Sequence, residues 1–502
     1  MKLFQRLWQR IAVYDDGSLA KEVARNLRIM IISVQVAQIC FNATGGSAFT
    51  GYIKALGATD LMLGVLMAMP FCVRVMQIIA SYILERTGKR KPLFCSLGLI
   101  SRLLWVPIGL VPFFIPMEQQ MLRLWSILTL YALVAVTGTF LDAGFFSLAA
   151  DVVPMRIRGR YFSVRSKIGM VFSILAGLLV SFLLDNIHGF DGLLGYMVVF
   201  VIAGISGAGD IACFLTMRFP PMDRDEGEGK RESLLSMVGG VLRNKQFMKL
   251  VLFWTIWSLS VNIMAPYFNV CMLEHLGMSF MQITLLCSIP ANIFSFLFVQ
   301  RWGGMMDTYG YKALLYICGT VGALVPLVWL FSAPGLLAPV LIGQVVAGAV
   351  WPAIDLSGQN TIMNAAPVRN RSMYATIHAV VTQLCGVAVA FVLGGFLLDN
   401  VYSPLADTVN ASGFRWFGNT ITQYHFMMVT TVILRLTAIY LFLPIANLAS
   451  EMTTREVIRE VLGNLGKSAR RNVLMLRAQI LRRRFRKKEA KALEQNGGNG
   501  EE

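Results

Sequence analysis

Charged side chains are scarce in this sequence. Asp, Glu, Lys and Arg make up 15% of its 502 residues, against about 25% in a soluble globular chain. Too little of the chain can face water for a disordered, collagen-like or nucleic-acid-binding protein. Paired cysteines are missing too. The eight cysteines lie in or beside apolar runs and none forms a Cys-x-x-Cys pair, so there is neither a disulfide framework nor a metal site to read. No His-Glu-x-x-His, Gly-x-Ser-x-Gly or Walker loop occurs, and a metalloprotease, a serine hydrolase and an ATP-driven pump have no support. No cofactor is expected. Acidic residues are the scarcer sign, 28 against 45 basic, for a net charge of +17. That surplus would suit nucleic acid, but the basic residues sit in alternate gaps between apolar runs and at both ends, as membrane topology requires.

What fills the chain instead is hydrocarbon: 56% of residues are hydrophobic and the mean hydropathy is +0.61. Twelve segments reach the length of about 20 apolar residues that crosses a bilayer. They run 27–50, 60–83, 93–115, 124–148, 165–185, 195–217, 249–270, 278–300, 313–333, 336–358, 373–398 and 423–445. An open strand cannot satisfy its backbone in lipid, so all are expected as helices. The gap after span two carries Arg86, Lys89, Arg90 and Lys91; that after span four carries Arg156, Arg158, Arg160 and Arg165. The gap after span six carries Arg224, Lys230, Arg231, Arg243 and Lys245, whereas the odd gaps hold only Lys54, Arg123 and Arg415. Both termini are therefore expected in the cytoplasm, in a multi-pass protein of the cytoplasmic membrane. The first apolar run begins near Leu27 behind a charged leader and lacks a small-residue cleavage site, so it reads as a span and not as a signal peptide.

The expected organisation is a leader (1–26), six spans (27–217), a linker (218–248), six further spans (249–445) and a basic tail (446–502). Phe4, Leu7, Trp8 and Ile11 in the leader recur near helical spacing, as do Val473, Leu476, Ile480 and Leu481 in the tail. Both segments suit amphipathic helices on an anionic inner leaflet; a solvated basic tail is the alternative for the second.

The two six-span halves repeat each other. Leu141-Asp142, Val153-Pro154-Met155-Arg156-Ile157-Arg158 and Tyr161 recur 213 residues later as Ile354-Asp355, Ala366-Pro367-Val368-Arg369-Asn370-Arg371 and Tyr374. Spans five and eleven end in one pentapeptide, Phe-Leu-Leu-Asp-Asn, at Phe182–Asn186 and Phe396–Asn400. The loops after spans two and eight share the pattern small-x-x-x-acid-x-x-Gly-x-basic. The first copy holds Ser81, Glu85, Arg86, Gly88 and Arg90, and the second Gly303, Asp307, Gly310 and Lys312. The small residue permits close helix approach and the glycine a tight turn. The acid suits basic loop residues and helix N-terminal amides across the interface between the halves. Together with Arg158 and Arg371 these residues form a candidate cytoplasmic gate that holds an outward-facing state shut.

In these motifs the chain resembles the major facilitator superfamily, whose loop between spans two and three reads Gly-x-x-x-Asp-Arg-x-Gly-Arg-Arg/Lys. Ser81 and Glu85 stand where that pattern has Gly and Asp, and Thr308 where the second copy would have Arg. The resemblance implies an all-α fold of twelve membrane helices in two parallel six-helix repeats. It also implies secondary transport rather than enzyme activity, with a cavity lined by spans one, four, seven and ten.

Ionisable residues inside spans are costly and mark functional candidates. Six away from the span ends are the candidates: Arg74, Arg102, Asp142, Asp210, Asp355 and Arg435. Asp142 and Asp355 are symmetry-related and are the candidates for proton coupling; static pairing with Arg74, Arg102 or Arg435 is the alternative. Polar residues on the cavity spans, namely Gln35, Gln38, Asn42, Thr139, Trp254, Ser258, Asn262, Gln344 and Trp351, join Arg74 and Arg102 as candidate cavity residues. Amides and tryptophans suit a small polar organic solute such as a sugar or glycoside, moved with protons; interhelical polar contacts are the alternative. Drug or organic-anion efflux is the rival within transport, anchored by Arg74 and Arg102. Gly207-Ala208-Gly209-Asp210 matches the Gly-x-Gly-Asp of intramembrane aspartyl proteases, yet the only Tyr-Asp pair, Tyr14-Asp15, lies in the leader. The expected partners are a small-molecule substrate, protons and the bilayer with its anionic inner leaflet, not nucleic acid, and the chain is expected as a monomer.

Overall fold

The computed structural model describes residues 21–87, 90–154, 157–189, 192–218, 234–367 and 371–446. The expected leader and tail helices, on 1–20 and 447–502, and most of the linker, on 219–233, lie outside the described residues. Among the described residues eleven helices are long and apolar enough to cross a membrane. The twelfth crossing, span two, is broken: Asp60–Val73 ends at Arg74 and the chain resumes as Met76–Thr87. Span one bends similarly, from Lys21–Ala43 to Gly46–Ala55, and span seven between Lys245–Asn262 and Ala265–Val270. Span seven starts before the expected residue 249 because Asn244 caps it, its side-chain oxygen accepting from Phe247 N at 3.1 Å. Before it, Leu234–Arg243 within the expected linker is helical, and Val241 buries against Phe247 and Tyr374.

Other ends have equally local causes. Ser279 and Gln282 cap each other reciprocally at the start of span eight (Phe280–Tyr309). Gly310, at φ +79°, turns span eight directly into span nine (Tyr311–Trp329). Arg123, 4% exposed, folds back from span four (Gln120–Val152) to donate to the Ile115 and Pro112 carbonyls at the end of span three (Arg90–Phe114). Among the described residues five short π-helical segments interrupt spans seven, eight, eleven and twelve.

Packing repeats as the sequence does. In the first half span one lies against spans five (Arg158–Asn186) and six (Leu194–Leu215), and span three against spans four and six. In the second half span seven lies against eleven and twelve, and span nine against ten and twelve. The halves meet where span two crosses eleven, where span five meets the start of eight, and where Gly46–Ala55 touches Ala265–Val270. One apolar cluster, including Phe49, Tyr52, Phe200, Tyr267 and Met427, crosses this junction. Others belong to single halves, among them one around Leu148 and Phe214 and one around Phe253 and Ile354.

Candidate functional site

The repeated pentapeptide acts at the junction. Asp185, ending span five, accepts hydrogen bonds from the backbone N–H groups of Phe280 and Met281, at 2.9 and 2.7 Å. Asp399, in the π-helical stretch Leu398–Tyr402 inside the long helix Met373–Ala411 of span eleven, accepts from Asp60 N and Leu61 N at 3.2 and 2.8 Å. These are the first amides of spans eight and two, which have no partner within their own helices and sit at the positive end of the helix dipole. The two copies agree in detail. Asn186 and Asn400 each turn back to the phenylalanine carbonyl four residues earlier, at 2.8 and 3.1 Å, and burial alternates identically along both pentapeptides.

Around these caps the halves are stitched together on the side whose loops hold few basic residues. The Ser181 and Thr284 hydroxyls share a hydrogen bond at 2.7 Å. Lys54 bridges Asp60 in its own half and Glu274 in the other, at 3.1 and 3.4 Å. The buried Tyr267 hydroxyl lies 3.3 Å from the Asp60 carbonyl of the other half while donating to the Phe391 carbonyl of its own at 2.6 Å. Gly64 and Gly395 let spans two and eleven touch: a side-chain carbon at either would overlap a backbone carbonyl oxygen, of Phe391 or Asp60. Nothing stands within 4 Å of such a carbon at Gly303. In this conformation Gly303 makes no close helix approach, and the halves meet at the opposite ends of these helices.

Each half also holds a cavity. The smaller, about 140 Å³, lies among spans one, three, four, five and six and is lined by Arg102, Asp142, Arg165 and Asp210 together with apolar residues. Arg102 pairs with Asp210 at 3.4 Å and covers the Phe41 ring. The larger, about 420 Å³, lies among spans seven to ten and twelve. Among the described residues Arg435 is the only charged one in its lining, which also holds Asn269, Gln344 and Trp351.

The predicted site residues divide by position. Asp142 and Asp355 occupy equivalent exposed positions on spans four and ten, and neither makes an ion pair among the described residues. Arg74 is exposed at the break in span two. Asn42 donates to Ser173 at 3.1 Å, Gln35 to Ile31 O at 3.0 Å and Asn262 to Ser258 O at 2.8 Å. The Gln38 amide lies near Gly169, and the Thr139 hydroxyl turns to Val136 O. Trp254 donates to Thr361 at 3.1 Å inside the second half. Gln344 and Trp351 line the larger cavity.

Among the gate candidates, Arg90 is buried and pairs with Asp151 of its own half at 2.5 Å. Arg86 lies 3.4 Å from the Tyr82 hydroxyl, and Arg158 donates to Val153 O. Lys312 follows the turn at Gly310. Gly88 and the side chains of Ser81, Glu85, Asp307 and Arg371 lie outside the described residues. Asp185, Asp399, Asp60, Glu274 and Tyr267 carried no role in the sequence reading. The one available signal was the doubled pentapeptide.

Solved structures with this arrangement are transporters. The chain is 15% identical to a bacterial homologue of the human lysosomal transporter Spinster, with a TM-score of 0.65 over 86% of this chain and 98% of that one. It is 13% identical to the nucleoside transporter NupG, with a TM-score of 0.62 over 84% and 100%. Against a D-xylose-proton symporter the values are 14%, 0.59, 84% and 98%. No curated protein sequence matches. The model of the Major Facilitator Superfamily matches residues 31–390, across both halves and the crossing that joins them, and to that superfamily of membrane transporters the chain belongs.

Proposed function

We propose that the protein moves a small polar organic solute across the cytoplasmic membrane by alternating access, coupled to protons, and that the described conformation opens toward the cytoplasm. The observation that carries this reading is the seal on the side poor in basic loop residues, where each half caps a helix of the other. With basic loops inside, that seal closes the outer face. The open space at Gly303 fits separated cytoplasmic ends. Opening outward then requires Asp185 and Asp399 to release their amides while the loops at Glu85 and Asp307 close the inner face.

Asp142 and Asp355 are the coupling groups in this scheme. An unpaired carboxylate within a span is costly unless it reaches water or a partner, and Asp142 borders the cavity that holds Arg102. Sugars and glycosides remain the favoured solutes, supported by Trp351 with the amides of Asn269 and Gln344 in the larger cavity. Counterflow in proteoliposomes tests the reading. Labelled sugar entering vesicles preloaded with unlabelled sugar is the expected result, and no exchange across a panel of sugars, glycosides and organic acids overturns it.

A further inference from the structure

Arg435 is 4% exposed in span twelve (Gln423–Ile445). Its hydrogen bonds have a structural origin. Its Nη1 donates to the Gly322 carbonyl at 2.9 Å, which would ordinarily accept from residue 326. That residue is Pro326, which has no N–H. Its Nη2 lies 3.5 Å from the Val261 carbonyl, just before the break in span seven. Carbonyls satisfy donors without neutralising a charge. No carboxylate lines the cavity beside it, no ion pair reaches it among the described residues, and its Nε has no partner. The cavity of the first half is balanced, with two arginines and two aspartates in its lining.

A cation within a span that meets only carbonyls and, at 5.7 Å, the Trp351 ring is costly and is most simply neutralised by the ligand. We propose that the larger cavity binds an organic monoanion, a carboxylate on a polar ring such as a hexuronate, with Arg435 as its counter-charge. One cation with no second basic group in the lining matches one negative charge. The Nη2 contact is at the limit of a hydrogen bond, so a carboxylate can take that nitrogen without breaking the shorter bond to Gly322. Trp351, 5.7 Å below the guanidinium, offers a face for a sugar ring. The amides of Asn269 and Gln344, which bond to no described residue, face hydroxyls. At about 420 Å³ the cavity falls in the usual range for small-molecule sites of about 300–1,000 Å³, and broken helices such as span seven border substrate sites in transporters.

This inference rests on the transport reading and narrows its substrate. Its test is binding of glucuronate, its methyl ester, glucose and glucose 6-phosphate to the purified full chain. Tryptophan fluorescence and thermal shift are read at matched ionic strength and low chloride. Glucuronate should bind at least about tenfold tighter than its ester, the factor given by about 1.4 kcal/mol of charge-assisted contact. Arg435→Gln should erase that difference and Arg435→Lys should retain it. Equal binding of acid and ester, no binding of glucuronate, or a preference surviving in Arg435→Gln overturns the inference. Stronger binding of the phosphate overturns the assignment to a monoanion. If Arg435→Gln does not fold, the acid–ester comparison in the wild type decides alone. Neutral-sugar counterflow without any preference for the acid would sink this inference and leave the transport reading standing.

Discussion

A carboxylate in a membrane helix is an expensive residue, and where it sits decides what it can do. Asp210 is spent on Arg102. Asp142 and Asp355, at equivalent places in the two repeats, are exposed and carry no ion pair among the described residues. Their surroundings differ, because Asp142 shares a cavity with Arg102 and Arg165 whereas Asp355 does not line the cavity of Arg435. A carboxylate that can exchange arginine for water contacts is the easier one to switch. In proteoliposomes under an imposed pH gradient, Asp142→Asn should abolish uphill accumulation and leave downhill exchange intact. Asp355→Asn should weaken substrate affinity more than coupling. Uphill accumulation by Asp142→Asn would reduce Asp142 to a structural group.

At the scale of elements, the seal is a set of helix ends. Asp185 and Asp399 each neutralise two amides that water would otherwise solvate. Such an interaction contributes about 1–2 kcal/mol in partly buried geometry. Asp185→Ala or Asp399→Ala should therefore shift the ratio of inward- to outward-facing molecules by roughly 5–30-fold toward outward. Together their effects should add, the sites being distant. Pulsed electron-spin distances across both faces measure this, and unchanged distributions in the double variant would remove these carboxylates from the seal. The spans themselves were legible, since a bilayer imposes length and apolarity on each one. The breaks at Arg74 and after Asn262 were not, because both lie inside continuous apolar runs. Partners between halves were hidden too. Asp399 caps amides more than 300 positions earlier, and nothing near it in sequence announces that. Polarity did mark Trp254 and Asn262, but it cannot tell a side chain facing a cavity from one bonded to its own helix or its neighbour.

For the whole molecule, the twofold repetition constrains topology, since both halves must cross the membrane in the same direction. A cysteine placed at Asn410, in a protein stripped of the exposed Cys72 and Cys385, should react with an impermeant maleimide added outside intact cells. Reaction only after permeabilisation would invert the assignment of the two faces. The two caps obey the same symmetry, for span five reaches the start of span eight as span eleven reaches the start of span two. In the language of oligomers this is an isologous contact, one patch meeting its own image. Two identical copies of such a half would close the same face with no further device, and one substitution would weaken both contacts at once. In a single chain the copies are free to differ. Lys54 pairs with the side chain of Asp60, whose own backbone N–H is capped by Asp399, so among the described residues one clasp shares a residue with an ion pair and the other does not, and the strength of each can be set without disturbing the other.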